Sequence, residues 1–402
     1  MPMTELIRVA EAEALIAEHM PTFGSERIAL SQSAGRILRQ SVQAEHDHPP
    51  FDRVMMDGIA VRWQAALPRG FAVAGAQMAG MAMQALVAED TCIEVMTGAM
   101  LPTGCDCVIP IEQLHREGEA YRLLDGYQPA QNQFVHRRGS DCLAGTLLLE
   151  AGMCIGAPEA ALLAANGLAH VEVGKIPSIA MVSTGDELVD VDSPLAEGQI
   201  RRSNDIAIAT ALRLHGFDRV VLEHIVDDLA IAQRTLGRLL DEHDALILSG
   251  GVSMGQRDYM PAALEALAVQ RVFHRIAQRP GKPMWFGLGS RQQVVFALPG
   301  NPLSALVCAV RYVRPALLAS LGMAPAAKEY VRLAASVDIN TTLTCFTPAH
   351  VRNDPQGWKK AEAVPARTSG DFAALPHTHG FVQLPPGTAS VPAGTIVEFY
   401  RW

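Results

Sequence analysis

The sequence predicts a multidomain α/β protein: a doubly wound α/β sheet domain with a β-rich inserted domain, a small α+β linker domain and a C-terminal β-barrel-like domain. Three observations carry this expectation. Strand-like and helix-like segments alternate over 176–323, turn-punctuated short strands fill 49–138 and 324–402, and 402 residues exceed the ~250–300 that one core accommodates.

In chain order, residues 1–48 read as helical, with Leu6, Val9 and Ile16 as the apolar face of LIRVAEAEALIAEHM and SAGRILR (33–39) as a shorter helical stretch. Glycine and proline then break the chain into short strands, as in GFAVAGAQMAG and TGAMLPTGCDCVIP. Helical texture returns within 139–175, where APEAALLAANGL is a helix closed by Gly167. Because that texture flanks the β-rich stretch, 1–48 and 139–175 are expected to form one discontinuous domain into which 49–138 is inserted. Over 176–323 the alternating elements fall at 178–183, 204–215, 219–225, 228–242, 245–249, 259–267, 271–276, 294–298 and 301–320, the pattern of an open parallel sheet. In 324–402, turn signals at Asn353-Asp354-Pro355, Pro385-Pro386-Gly387 and Pro392-Ala393-Gly394 separate strands such as TIVEFY.

A formal net charge of −9 and a pI near 5.8 argue against a nucleic-acid binder, which needs a broad basic face. The seven dispersed cysteines lack a paired CxxC arrangement and fit buried, inert thiols in a reducing cytoplasm. The acidic amphipathic start is unlike a signal peptide, and no continuous apolar run approaches the ~20 residues of a membrane span.

Four loops follow apolar strands in the alternating region: Thr184-Gly185-Asp186-Glu187, Gly250-Gly251-Val252-Ser253, Gln278-Arg279-Pro280-Gly281-Lys282 and Pro299-Gly300-Asn301-Pro302. In an open α/β sheet the carboxyl ends of the strands meet in one crevice, and glycine lets backbone N–H groups approach a phosphate without an intervening Cβ. Ser203-Asn204 and Asn301-Pro302 open helices there, whose N-terminal partial charge favours anions. The expected guest carries oxyanions.

Carboxylates gather at the same strand ends: Asp186, Glu187, Asp227, Asp228 and Asp258. Acids beside a phosphate-binding loop suit a hard divalent cation such as Mg2+, with a solvated loop as the lesser reading for Asp228 and, more weakly, for Glu187. Arg275, Arg279 and Lys282 supply local cations, the last two flanking a stiff Pro-Gly turn. HPPFDRVMMDGIAVR (48–62) makes a poor strand and a poor helix, so it reads as a shaped loop presenting Asp57.

Together, PPFDRVMMDG (49–58), MTGAMLPTG (96–104), RRGSD (137–141), STGDEL (183–188), SGGVSMGQRDY (249–259), RPGKP (279–283) and LPGNPLSA (298–305) resemble the molybdopterin molybdenumtransferase family, the MoeA and gephyrin E-domain group. The resemblance spans nearly the whole chain. It implies a four-domain homodimer that inserts molybdate into adenylylated molybdopterin and releases AMP in a Mg2+-dependent step of molybdenum cofactor biosynthesis. The linker domain would also be the dimerisation domain, and a separate pterin-adenylylating protein is an expected partner.

By the resemblance, pterin and phosphate lie on Thr184, Gly185, Asp186, Ser203, Gly250, Gly251, Ser253, Pro299, Gly300 and Asn301. Glu187, Asp227 and Asp258 match the acidic set for magnesium and adenylate hydrolysis. Arg275, Arg279 and Lys282 match the basic set near molybdate, with Ser369 added by the last domain. Asp57, Thr97 and Asp141 match positions that reach the site across the dimer. Asp57, Glu187, Asp227, Asp258 and Lys282 would carry the chemistry. The chain departs from the family at Val54, Ile59, His136, Ser140 and Arg279, and at Arg201-Arg202, where a cation replaces a carboxylate. These departures leave room for an alternative, a divergent non-catalytic paralogue that carries or delivers the cofactor.

Overall fold

The computed structural model describes residues 6–252, 259–339, 341–364, 368, 370–387 and 390–402. Contacts divide the chain into two compact units. One comprises Met1–Gln40, Ala151–Ala160 and His170–Trp402, and the other Ser41–Glu150 with Ala161–Ala169.

The larger unit is built on a six-stranded sheet in the order Val220–Ile225, Ile179–Thr184, Ala245–Ser249, Val294–Leu298, Trp285–Leu288, Gln270–His274. The first four strands are parallel. Trp285–Leu288 runs antiparallel to both its neighbours, so the sheet is mixed where the sequence suggested a parallel one. This strand was missed because WFGL is four residues long and follows Pro283, which gives it no alternation to detect. Its reversal matters for function: it brings the residues just before it, Lys282 and Pro283, to the edge where the parallel strands end.

Strand residues alternate strictly between the two faces. Ile179, Met181, Ile247 and Phe296 pack with the helices Asn204–Arg213 and Pro302–Cys308. Ala180, Val182, Leu246, Leu248 and Val295 pack with Leu229–Glu242 and Met260–Ala266. Helices on both faces give the doubly wound arrangement. The helical run Pro302–Ser320 is long and apolar enough by composition to cross a membrane, but most of it is buried against this sheet.

In the same unit a closed five-stranded barrel runs Thr344–Asn353, Lys359–Ala363, Glu329–Leu333, Ile396–Arg401, Gly380–Leu384 and back to Thr344–Asn353. Its interior is aliphatic with Phe399. A two-residue strand, Gln278–Arg279, pairs with Thr344 and Cys345 and sets the loop that follows it against the barrel.

The first helix is Val9–His19, but SAGRILR is not helical. Gly35 turns the chain with φ +75°, and Ile37 and Leu38 pair as single bridges with Cys154 and Val173. Burial of these two side chains outweighs a weak helical pattern.

The smaller unit is a half-barrel of six strands in the order Cys107–Pro110, Gly58–Val61, Thr91–Val95, Gly70–Gln77, Ala120–Leu123, Leu114–Glu117. Gly58 is required by close approach: a Cβ there would sit 2.0 Å from the Ile109 carbonyl oxygen. Leu147–Leu149 pairs with Val42–Gln43 in a separate two-stranded sheet, and 41–48 and 139–150 both fall within this unit. Burial pushes the thiols of Cys92, Cys105 and Cys107 up to about 12, so they stay protonated and inert.

Candidate active site

At the carboxyl ends of the parallel strands lies a crevice of about 520 Å3. Thr184, Gly185, Glu187, Ser203, Asp227, Gly250, Gly251, Pro299, Gly300 and Asn301 all line it. Three of the four sequence-predicted loops therefore converge. The fourth, Gln278–Lys282, lines a second chamber of about 500 Å3 between the sheet and the barrel, with Arg279 and Lys282 in its wall. Pro283, Pro299 and Asn301 line both spaces, so the chambers are contiguous.

The floor of the crevice is tightly built. Gly250 has φ +101°, and a Cβ on it would meet Thr184 Oγ1 at 2.7 Å and the Thr184 carbonyl oxygen at 2.9 Å. Only glycine allows these two loops to touch. Thr184 Oγ1 is buried with no hydrogen-bond partner among the described residues, which leaves a hydroxyl donor for a guest. Asn204 was read from the sequence only as a helix-opening residue. Its Nδ2 donates to Ser249 Oγ at 2.8 Å and to the Gly300 carbonyl at 2.7 Å, joining two loops that are remote in the chain.

Two carboxylates, Glu187 and Asp227, face this crevice. Their oxygens are donors of the hard type that a divalent cation takes, but among the described residues no three His, Cys, Asp or Glu side chains gather closely enough to hold a metal ion. Asp186 does not line either chamber; its Oδ1 accepts from the Asp227 N–H at 3.0 Å and so orients that neighbour. Asp228 is a helix cap, accepting from the Ile231 N–H at 2.8 Å. Arg275 also lines neither chamber and sits at φ +81° just after the edge strand. Ser253, Asp258 and Ser369 lie outside the described residues.

The added cation Arg202 lines the crevice, as Arg201 does, and is ion-paired there. Its Nε lies 3.2 Å from Asp205 Oδ2 and its Nη2 3.2 Å from Asp190 Oδ1. Two acids thus occupy its charge. Val54 and Ile59, two other departures, are buried in the half-barrel cores.

In the smaller unit, Asp57 Oδ1 accepts from both the Thr97 N–H at 2.7 Å and the Thr97 hydroxyl at 2.8 Å. These two bonds, the backbone one first, hold the Asp57 carboxyl below its usual range. The pKa is depressed in the fold, so this contribution to stability is present above the ordinary carboxylate range and is lost as pH falls through the folded value. Thr97→Val removes one of the two donors, so Asp57 should titrate at higher pH by carboxyl-carbon NMR; an unmoved titration would rule out the contact. Asp141 is held in a similar way: Arg53 Nη2 donates to His136 Nδ1 at 3.1 Å, leaving His136 Nε2–H to donate to Asp141 Oδ1 at 2.7 Å.

Family models for the MoeA N-terminal region (domain I and II), a probable molybdopterin binding domain and the MoeA C-terminal region (domain IV) match residues 7–167, 180–319 and 330–402. A molybdopterin molybdenumtransferase of Synechocystis sp. is 38% identical over 99% of this chain and all of the relative. The chain belongs to the MoeA family. A relative of the same name from Synechococcus elongatus is 33% identical over 97% of this chain and 98% of its own. The solved MoeA protein of Pyrococcus horikosii, a molybdopterin biosynthesis protein, superposes with a TM-score of 0.82 at 29% identity, covering 99% of each chain. The doubly wound sheet, the half-barrel and the closed barrel are thus the MoeA fold.

Proposed function

We propose that this protein is a molybdopterin molybdenumtransferase of molybdenum cofactor biosynthesis, which inserts molybdate into adenylylated molybdopterin and releases AMP. The observation that carries this reading is the contiguity of two chambers, one floored by glycine-lined turns and the Thr184 hydroxyl beside carboxylates, the other walled by Arg279 and Lys282. A pterin phosphate in the first would lie next to an oxyanion in the second.

The Gly251 N–H and the Thr184 hydroxyl would bind the phosphate, while Gly185 and Gly250, whose N–H groups donate to the Ile225 and Leu298 carbonyls, keep side chains out of its way. Arg279 would fork onto molybdate oxygens while Lys282 supplies a compact charge. Glu187 and Asp227, joined by Asp258, would hold Mg2+, which when bound neutralises phosphate charge as the AMP bond breaks. Holding two charged substrates in adjoining pockets supplies proximity: as the two dithiolene sulfurs bond molybdenum, molybdate oxygen leaves as water with the thiol protons, and a second water breaking the phosphoanhydride supplies the oxygen that AMP carries away.

The same reading gives a cytoplasmic homodimer fed by a pterin-adenylylating protein. Its four parts are 1–48 with 139–175, 49–138, 176–323 and 324–402, and Asp57, Thr97 and Asp141 serve the site of a second copy. Packing accounts for Val54 and Ile59 and ion pairing for Arg202, which leaves Arg201, His136, Ser140 and Arg279 as the departures on which a non-catalytic carrier would rest.

Protein given adenylylated molybdopterin, Mg2+ and molybdate should release AMP. Glu187→Gln should slow that release by about a hundredfold, the loss of a few kcal/mol of charge neutralisation. No AMP from well-folded wild-type protein would overturn the enzyme reading.

A further inference from the structure

The loop that carries Arg279 and Lys282 is held from beneath by polar atoms sealed in an otherwise apolar core. Gln278 is 0% exposed. Its Nε2 donates to the Pro280 carbonyl at 3.1 Å and contacts Cys308 Sγ at 3.6 Å, while its Oε1 accepts from the Tyr312 hydroxyl. The Cys308 thiol in turn points at the Gly281 carbonyl at 3.7 Å. Tyr312 is 2% exposed and Cys308 fully buried, both within the main hydrophobic cluster.

These groups are uncharged. Burial, its largest cause, pushes the Cys308 thiol up to about 12 and the Tyr312 phenol well above its usual value. Methionine at 278 and phenylalanine at 312 would fill the same space at less desolvation cost. Polar atoms are tolerated here because they are paired, and the pairing ends on the carbonyls of Pro280 and Gly281, the two residues between the chamber's cations. The helix also departs from regularity at this point: a π-helical turn spans Ala309–Val313 and places both Arg311 and Tyr312 in the interior.

We propose that Gln278, Tyr312 and Cys308 form a buried positioning network, which fixes where Arg279 and Lys282 present their charges and thereby sets the chamber's affinity for a tetrahedral oxyanion. None of the three is a catalytic residue. The oxyanion part rests on the function proposed above; the hold on the loop does not.

The test uses the full-length protein as wild type, Tyr312→Phe, Gln278→Met and the double variant. It reads thermal unfolding, hydrogen exchange of the Met284 amide, which donates to the Gly281 carbonyl at 3.3 Å, and calorimetric binding of molybdate alone. Tyr312→Phe leaves the Gln278 carbonyl oxygen buried without a donor and should destabilise the protein. The double variant removes both partners and should regain much of that stability. Yet in the double variant Met284 exchange should stay about tenfold faster than wild type and molybdate half-saturation about tenfold higher, as expected for one lost hydrogen bond to the loop. A merely structural role would let all three measurements recover together, which would overturn the proposal. If wild-type protein binds no molybdate while Met284 exchange still rises, the network positions the loop and the oxyanion reading is overturned instead. Unchanged exchange in every variant would sink the network itself.

Discussion

Arg202→Ala should destabilise the protein by about 3 kcal/mol, as a fall in the urea or thermal unfolding midpoint. Asp205, in the first turn of the helix Asn204–Arg213, has 0% side-chain exposure, and Arg202 only 16%. One carboxylate oxygen of Asp205 accepts from the Ile206 N–H at 2.9 Å; the other makes no hydrogen bond among the described residues and has Arg202 Nε at 3.2 Å as its compensating charge. Removing the guanidinium strands a buried anion, which costs far more than the net worth of the pair. Arg202→Asp, which restores the carboxylate that the family resemblance leads one to expect, should be worse than alanine. It would add a third acid beside Asp190 and Asp205. Pairing Arg202→Ala with Asp205→Asn should recover much of the loss, because both charges then leave together. A single Arg202→Ala cost within about 0.5 kcal/mol, the range of ordinary surface changes, would show that Asp205 does not depend on it.

Gly281→Ala should lower AMP release about a hundredfold, the scale expected when groups that position a substrate move by about an ångström. Gly281 has φ +94°, where an alanine is strained. Its Cβ would also stand 2.5 Å from both Cys308 Sγ and Gln278 Nε2, two buried atoms with little room to retreat. Strain and overpacking together should cost about 2–4 kcal/mol in unfolding measurements. The loop can escape only by lifting, and that carries Arg279 and Lys282 out of the chamber wall. Adding Cys308→Ala opens one side of the clash and should return part of the activity. An alanine variant with normal activity would mean that the turn does not place those cations.

Much of the site was legible because its signals are local. A glycine pair after ALILS, Pro-Gly-Asn after VVFAL and Thr-Gly-Asp-Glu after SIAMVS each mark a tight turn at a strand's carboxyl end, and one sheet collects them. Reading by residue type went further than the geometry supports at Asp186, Asp228 and Arg275. The first orients a backbone amide, the second caps a helix and the third lines neither chamber. Charge and position in a loop look alike in a sequence whether a side chain faces a guest or its own backbone. The converse error was to give Asn204 and Gln278 no role beyond opening a helix and starting a loop, since an uncharged amide carries no mark of whom it bonds.

The sequence by itself determined the class of each segment, because alternation, apolar runs and Gly/Pro turns act over a few neighbouring residues. It likewise determined that small flexible loops, acids and cations would cluster at strand ends. Only the tertiary structure decided which strands pair, that Trp285–Leu288 reverses and so delivers Lys282 to the crevice edge, in what order the strands of the expected C-terminal barrel close, and which acids neutralise Arg202. These outcomes depend on contacts such as Asn204 to Gly300, 96 residues apart, or Tyr312 to Gln278, 34 apart. Burial and hydrogen-bond pairing select among such distant partners only once the chain is compact, so no local pattern could announce them.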